Sequence, residues 1–150
     1  MNKFQAIFFG FVLFSLTLKA DDYPDDSSTR IFLQLGSSTN GVTETSTDQD
    51  WFKTILIAGR TYSFINKVVS SDPQLIIRGP TPSNSKVAEN DDCCGAHSTS
   101  QISYTPTTTG IYHLISTCYS TFVGGYQLAL ADSGACDAQC ISMILTKNKF

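Results

Sequence analysis

The sequence predicts an all-β domain, a single antiparallel sandwich or jelly roll of about eight strands. Three observations carry that prediction. After residue 20 no stretch keeps the apolar repeat of an amphipathic helix. Short runs rich in β-branched and aromatic residues recur instead. Turn formers separate them: Ser71-Asp72-Pro73, Gly79-Pro80-Thr81-Pro82, the stretch from Pro106 to Gly110, and Gly124-Gly125.

Residues 1–20 precede that domain. Lys3 stands near the start, an apolar run of about 15 residues follows from Phe4 to Leu18, and Ala20 leads into an acidic stretch, the layout of a secretory signal peptide. The run is short for a membrane span, which needs about 20 residues. Cleavage after Ala20 would leave residues 21–150, one domain with a real core, exported to the extracellular or periplasmic space.

Strands are predicted near Arg30 to Leu35, Trp51 to Ile57, Arg60 to Val68, Gln74 to Arg78, Lys86 to Glu89, Gln101 to Tyr104, Ile111 to Thr117 and Tyr126 to Ala131. Ala58-Gly59 reads as a tight reversal between the second and third. Large apolar residues fall on alternate positions in Tyr62 and Phe64, in Tyr112 and Leu114, and in Tyr126, Leu128 and Leu130. Period two places each set on one face of a strand, and core is the usual fate of such a face.

The charge balance excludes some partners. The formal net charge is -3, and losing Lys3 and Lys19 with the signal would make it about -5. Four of the acids crowd into DDYPDD, residues 21–26. That balance argues against nucleic acid and against anionic membranes, and it suits a cation.

Six pieces in fixed order carry a family resemblance: D-x-D-W-F, A-G-R-T-Y-S-F, S-D-P-Q-L-I-I, V-A-E-N-D-D, S-x-I-S-Y-T-P-T-T-T-G-I-Y-H-L and G-G-Y-Q-L-A-L. Together they resemble the bacterial pre-peptidase C-terminal domain over about residues 22–131. Members of that family are similar to the collagen-binding domains of clostridial collagenases, β-sandwich modules usually fused behind secreted proteases, several of which bind calcium. The resemblance therefore implies an accessory module and no catalyst. This sequence departs from the family in having no catalytic domain in front, so a stand-alone role is expected, with residues 132–150 as a cysteine-containing tail.

Asp48 and Asp50 admit three readings. A hydrolytic pair needs one carboxyl held protonated and a cleft for substrate, and the sequence shows neither. Alternatively the two aspartates cap the turn before a strand through side-chain to backbone hydrogen bonds. Separated by one residue, they point to the same side, and oxygen clusters of this kind suit calcium, which takes six to eight hard oxygen ligands. The spacing is not that of an EF-hand loop, so the calcium reading rests on the resemblance. Carry-over from the related modules, where an N-terminal acidic segment meets this loop, adds one or two of Asp22, Asp25 and Asp26. Asn90-Asp91-Asp92 raises the same choice between a structural turn and a second cation site with Asp91 and Asp92 as ligands.

The five cysteines, Cys93, Cys94, Cys118, Cys136 and Cys140, fit export, where disulfides persist. A turn at Thr107 that pairs its flanking strands would bring Cys93 or Cys94 to Cys118. The strand from Tyr126 then carries Cys136 and Cys140 some 20 Å away, so these two are expected to pair with each other. His97 and His113 lack the spacing of a zinc finger, and there is no C-x-x-C. No G-x-S-x-G elbow and no phosphate-binding glycine loop occurs. His113 sits in a strand pattern, where a surface-facing imidazole is the ordinary outcome.

These observations lead us to expect a secreted, non-catalytic, calcium-stabilised β-sandwich that binds an extracellular protein or polysaccharide, with Tyr119 and Phe122 as contacts. The alternative is a structural or export-assisting accessory domain for a separate secreted hydrolase.

Overall fold

The computed structural model describes residues 20–93 and 99–133. The chain forms eight strands: β1 (Ser37–Thr43), β2 (Gln49–Leu56), β3 (Tyr62–Val68), β4 (Pro73–Arg78), β5 (Lys86–Asn90), β6 (Thr99–Tyr104), β7 (Gly110–Cys118) and β8 (Gly124–Asp132). They make two four-stranded antiparallel sheets, in the orders β1-β8-β3-β6 and β2-β7-β4-β5. Among the described residues there is no helix. The expected all-β sandwich is the observed one.

Alternation builds the core. Phe52 and Leu56, Tyr62 and Phe64, Leu75 and Ile77, Tyr112 and Leu114, and Tyr126, Leu128 and Leu130 all turn inward and are buried. Each such side chain contributes about 1.5–3 kcal/mol relative to leaving it in water. This packing holds the two sheets face to face.

The connections decide where function can sit. Only β4 and β5 follow one another within a sheet; every other connection passes from one sheet to the other. Loops therefore gather at the two ends of the sandwich. The register of β1 on β8 (Thr43 opposite Gly124) and of β4 on β7 (Pro73 opposite Cys118) puts residues 44–48, 69–72, 119–123 and the run beginning at 91 at the same end.

Three sequence expectations change. The run from Arg30 to Leu35 is not a strand: Phe32 makes one isolated parallel bridge to Lys53. The first strand is instead the polar Ser37–Thr43, an edge strand whose inner side needs only Gly41 and Thr43. Ala58-Gly59 does turn the chain, with Arg60 N–H donating to the Ile57 carbonyl at 3.2 Å and Gly59 at φ 76°. The turn carries the chain across to the other sheet and makes no hairpin. Likewise β6 and β7 lie in different sheets and do not pair.

The N-terminal segment closes the gap between the edge strands β1 and β2. Tyr23 packs its ring 4.6 Å from that of Phe52. Its hydroxyl accepts from Thr39 Oγ1 at 2.8 Å and donates to the Asn40 carbonyl at 2.9 Å, reaching across to β1. Trp51 N–H donates to the Pro24 carbonyl and Lys53 N–H to the Ile31 carbonyl. Residues 21–33 thereby satisfy edge groups that would otherwise be open to another chain, and they bring the acidic start of the domain to the entrance of β2.

Candidate functional site at the acidic end

Asp48 ends the β1–β2 loop and Asp50 is the second residue of β2. The Asp48 backbone is held by Thr117, whose hydroxyl donates to its carbonyl at 2.7 Å. Its carboxylate accepts the Glu44 N–H at 2.8 Å. The N-terminal segment supplies the other side. Asp25 accepts the Gln49 N–H at 3.2 Å, and Asp22 accepts the Val42 N–H at 3.1 Å. Backbone donors from both edge strands thus aim carboxylates into one cleft of about 480 Å³, walled by Asp21, Asp25, Glu44, Thr45, Thr47 and Asp48.

Within it, carboxylate oxygens of Asp21, Asp25 and Asp48 lie within 4.8 Å of one another, and so do those of Asp21, Asp22 and Glu44. Asp50 stands behind this group, fully buried on the inner side of β2; the Tyr126 hydroxyl is near, but neither Asp50 oxygen meets it or any other donor in hydrogen-bond geometry. Burial pushes its carboxyl up to about 8; the charges of Asp22, Asp48 and Glu44 push the same way, against the Tyr126 hydroxyl. Asp48 is raised to about 7, first by burial and further by Asp25 and the Glu44 side chain, while the Glu44 N–H draws it down. In turn Tyr126 is pushed well above the usual phenol range by burial and by Asp50. Tyr126 can lie here because Gly41, opposite it on β1, has no side chain: a Cβ there would run into the phenol ring.

A desolvated carboxylate without a donor is costly unless a proton or a cation neutralises it. The donor set fits a hard cation. It is all oxygen, and oxygens at 2.3–2.6 Å from a shared calcium ion lie no more than about 5 Å apart, the separation seen here. It does not fit hydrolysis by an acid pair, because the carboxyl that is pushed furthest up, Asp50, is sealed from any substrate.

The acids separate into those that meet and those that do not. Asp21, which lies in the acidic start but which the resemblance did not carry to the site, belongs to both carboxylate groups. Glu44 was missed altogether; its signal was its place four residues before Asp48. Asp26 stays outside, exposed and turned back to cap Ser28, whose N–H donates to it at 2.7 Å. The Ser28 hydroxyl first, and its N–H second, hold the Asp26 carboxyl below the usual range. Asp91 and Asp92 follow β5, at the far edge of the sheet that β2 begins. The row Asp50, Ser116, Leu75, Asn90 runs across the four strands, so Asn90 lies three strand spacings, about 14 Å, from Asp50.

Two further expectations are corrected. Cys118 is a buried free thiol, so the bridge to Cys93 or Cys94 does not form. β4 lies between β7 and β5, and two strand spacings of about 4.8 Å exceed the reach of a disulfide. Cys118 Sγ instead lies 3.9 Å from the Thr45 carbonyl, in the wall behind the acidic loop, while Cys93 Sγ lies 3.2 Å from Gln101 Oε1 on the opposite sheet. Residues 1–19, Cys94, His97, Cys136 and Cys140 lie outside the described residues. His113 does face outward, but it is buried, covered by Trp51 and Asn84.

Tyr119 and Phe122 are exposed, at 49% and 60%, as are Val69 and Val123 in the two loops that hold them and their partners. Tyr119 N–H donates to the Asp72 carbonyl at 2.7 Å and Asp72 N–H to the Phe122 carbonyl at 3.2 Å. This lacing fixes an apolar patch at the same end as the carboxylates.

No protein-family model and no curated protein sequence matches the chain. Among solved structures, the pre-peptidase C-terminal domain of collagenase from Bacillus anthracis superposes with a TM-score of 0.51 at 14% identity, covering 67% of this chain and 92% of that one. PliG of Aeromonas hydrophila, a periplasmic inhibitor of g-type lysozyme, matches with a TM-score of 0.39 at 13% identity, covering 67% and 97%. The chain therefore has the fold of a pre-peptidase C-terminal domain.

Proposed function

We propose that the protein is a secreted, non-catalytic β-sandwich module whose acidic end binds calcium and thereby sets an apolar contact patch for an extracellular protein or polysaccharide. The observation that carries this reading is Asp50: a fully buried carboxylate with no partner in hydrogen-bond geometry, behind five further carboxylates brought from the β1–β2 loop and the N-terminal segment. Asp21, Asp25 and Asp48, with Asp22 and Glu44 beside them, would hold the ion, and Asp50 would balance its charge from behind. The position of Tyr119 and Phe122 at this end favours a binding role over a purely structural or export-assisting one.

The test is thermal unfolding in millimolar calcium and in excess chelator. A ligand bound only by the folded state must raise its stability. We expect a rise in melting temperature with calcium that is lost in Asp48→Asn and Asp50→Asn; equal melting temperatures in both media would sink the calcium reading.

A further inference from the structure

A second charged feature lies on β2, on the face opposite Asp50. Lys53 stands directly across from His113 on β7, His113 from Arg78 on β4, and Arg78 from Lys86 on β5. Cross-strand partners share a face, so these four residues form one row over the outer side of the sheet. Like charges placed opposite one another are destabilising, and this row sits in a chain whose net charge is negative. Among the described residues the ion pair on the row is that of Lys86 with Glu89, at 2.6 Å, and Lys53 and Arg78 are in none.

The middle of the row opens into a cavity of about 200 Å³ lined by Ser27, Lys53, Thr81, Asn84, Ile111 and His113. His113 is 1% exposed. Its Nδ1 lies 2.8 Å from Asn84 Oδ1, while its buried Nε2 meets no partner in hydrogen-bond geometry; the Ser27 backbone stands near the ring and favours its protonated form. The Nε of Arg78 is likewise buried without a partner. Arg78 lies over the Trp51 ring at 5.9 Å, and that ring meets His113 edge-on at 5.4 Å, so the three side chains brace one another.

We infer that this cavity is an oxyanion site, built to take one carboxylate, sulfate or phosphate group of an extracellular ligand between Lys53 and His113, with the Thr81 hydroxyl and Ser27 at its mouth. An ammonium beside an imidazole under-supplied with partners, in a recess with hydroxyl donors, supplies the charge-assisted hydrogen bonds such a group needs. The site is distinct from the acidic end and requires no calcium. Burial and then the neighbouring Lys53 charge lower the His113 pKa, against the Ser27 backbone, which raises it; Arg78 is the cation directly across on β4. The imidazole is therefore neutral near pH 7, and an entering anion favours its protonation.

Inorganic sulfate is the probe, because its charge is constant between pH 5.5 and 7.5. Sulfate and acetate are titrated in parallel into the full chain at fixed ionic strength, with chloride as the control, and followed by NMR. We expect shifts confined to Lys53, Thr81, Asn84, Ile111 and His113, sulfate binding that tightens severalfold as the pH falls to 5.5, and a loss of about fivefold or more in Lys53→Gln. Stronger binding of acetate than of sulfate assigns the site to a carboxylate ligand, and the reverse to a sulfate or phosphate ester. Lys67→Gln, an exposed lysine on the other sheet, should bind sulfate as the unaltered protein does. Loss in Lys67→Gln equal to that in Lys53→Gln, or shifts no larger than with chloride, would overturn the proposal.

Discussion

Two short acidic runs stand at the same end of this sandwich: Asp48 with Asp50, and Asp91 with Asp92. As sequence they are near equivalents, paired aspartates at a strand boundary. As structure they differ in company. The first enters an edge strand whose open side is covered by another acidic segment, so buried Asp48 joins a carboxylate cluster with buried Asp50 behind it. The second leaves the opposite edge strand half-exposed, and among the described residues no third acid comes within reach of it. Whether an acidic pair becomes a site is decided by what the topology folds over it.

Calcium should separate the two runs most sharply. At a free concentration a hundredfold above the dissociation constant, an ion bound only by the folded state adds about 2.7 kcal/mol. For a domain of this size that is roughly 10 °C in melting temperature. Asp50→Asn should reverse in sign with conditions. In calcium it lowers the melting temperature by removing a charge that balances the ion. In chelator at pH 8 it raises it, because the buried charge it deletes is the uncompensated one. A variant that is destabilised equally in both media would make Asp50 a packing residue and remove the main distinction between the runs.

The arrangement behind Asp50 can be broken from the other side. Gly41→Ala places a methyl group against the Tyr126 ring, and overpacking of this kind costs about 1–3 kcal/mol. Since Tyr126 is the polar neighbour of Asp50, the change should also weaken calcium stabilisation. A purely local effect would lower the melting temperature by the same amount in calcium and in chelator.

Acidity provides a smaller effect with a definite sign. In the metal-free protein Asp48 and Asp50 are raised from 3.8 to about 7 and about 8. The folded state therefore binds more protons than the unfolded chain between roughly pH 4 and pH 8. Their contribution is complete below about pH 4 and is lost as the pH rises toward 8. Melting temperatures in chelator should accordingly fall by a few degrees from pH 5 to pH 8, and calcium should flatten that slope. A melting temperature in chelator that climbs over this interval would show these carboxyls to be well solvated.

How much of this was legible in the sequence follows from where each constraint lies. The alternation in Tyr126, Leu128 and Leu130 is local, and it identified a core strand correctly. The polar Ser37–Thr43 escaped notice because an edge strand facing a glycine and a threonine inward carries no apolar alternation. The stretch Arg30 to Leu35 took its place in the reading, although only Leu33 in it is buried. Asp25 and Asp48 could be joined only through resemblance, since nothing local says that residue 25 returns to residue 48. The burial of His113 was invisible for the same reason: its covers, Trp51 and Asn84, come from two other elements.

The smallest effect is the one that most directly tests the comparison. Asp91→Asn and Asp92→Asn should each change stability by no more than about 0.5 kcal/mol, the ordinary range for surface substitutions, with the same value in calcium and in chelator. Both residues end an edge strand, about 14 Å or more across the sheet from Asp50, too far to share an ion with it. Should either substitution lose a calcium-dependent part of the stability, Asp91 and Asp92 would be ligands of a second ion. The N-terminal segment would then cease to be what distinguishes one acidic run from the other, and burial alone would have to account for the strength of the first.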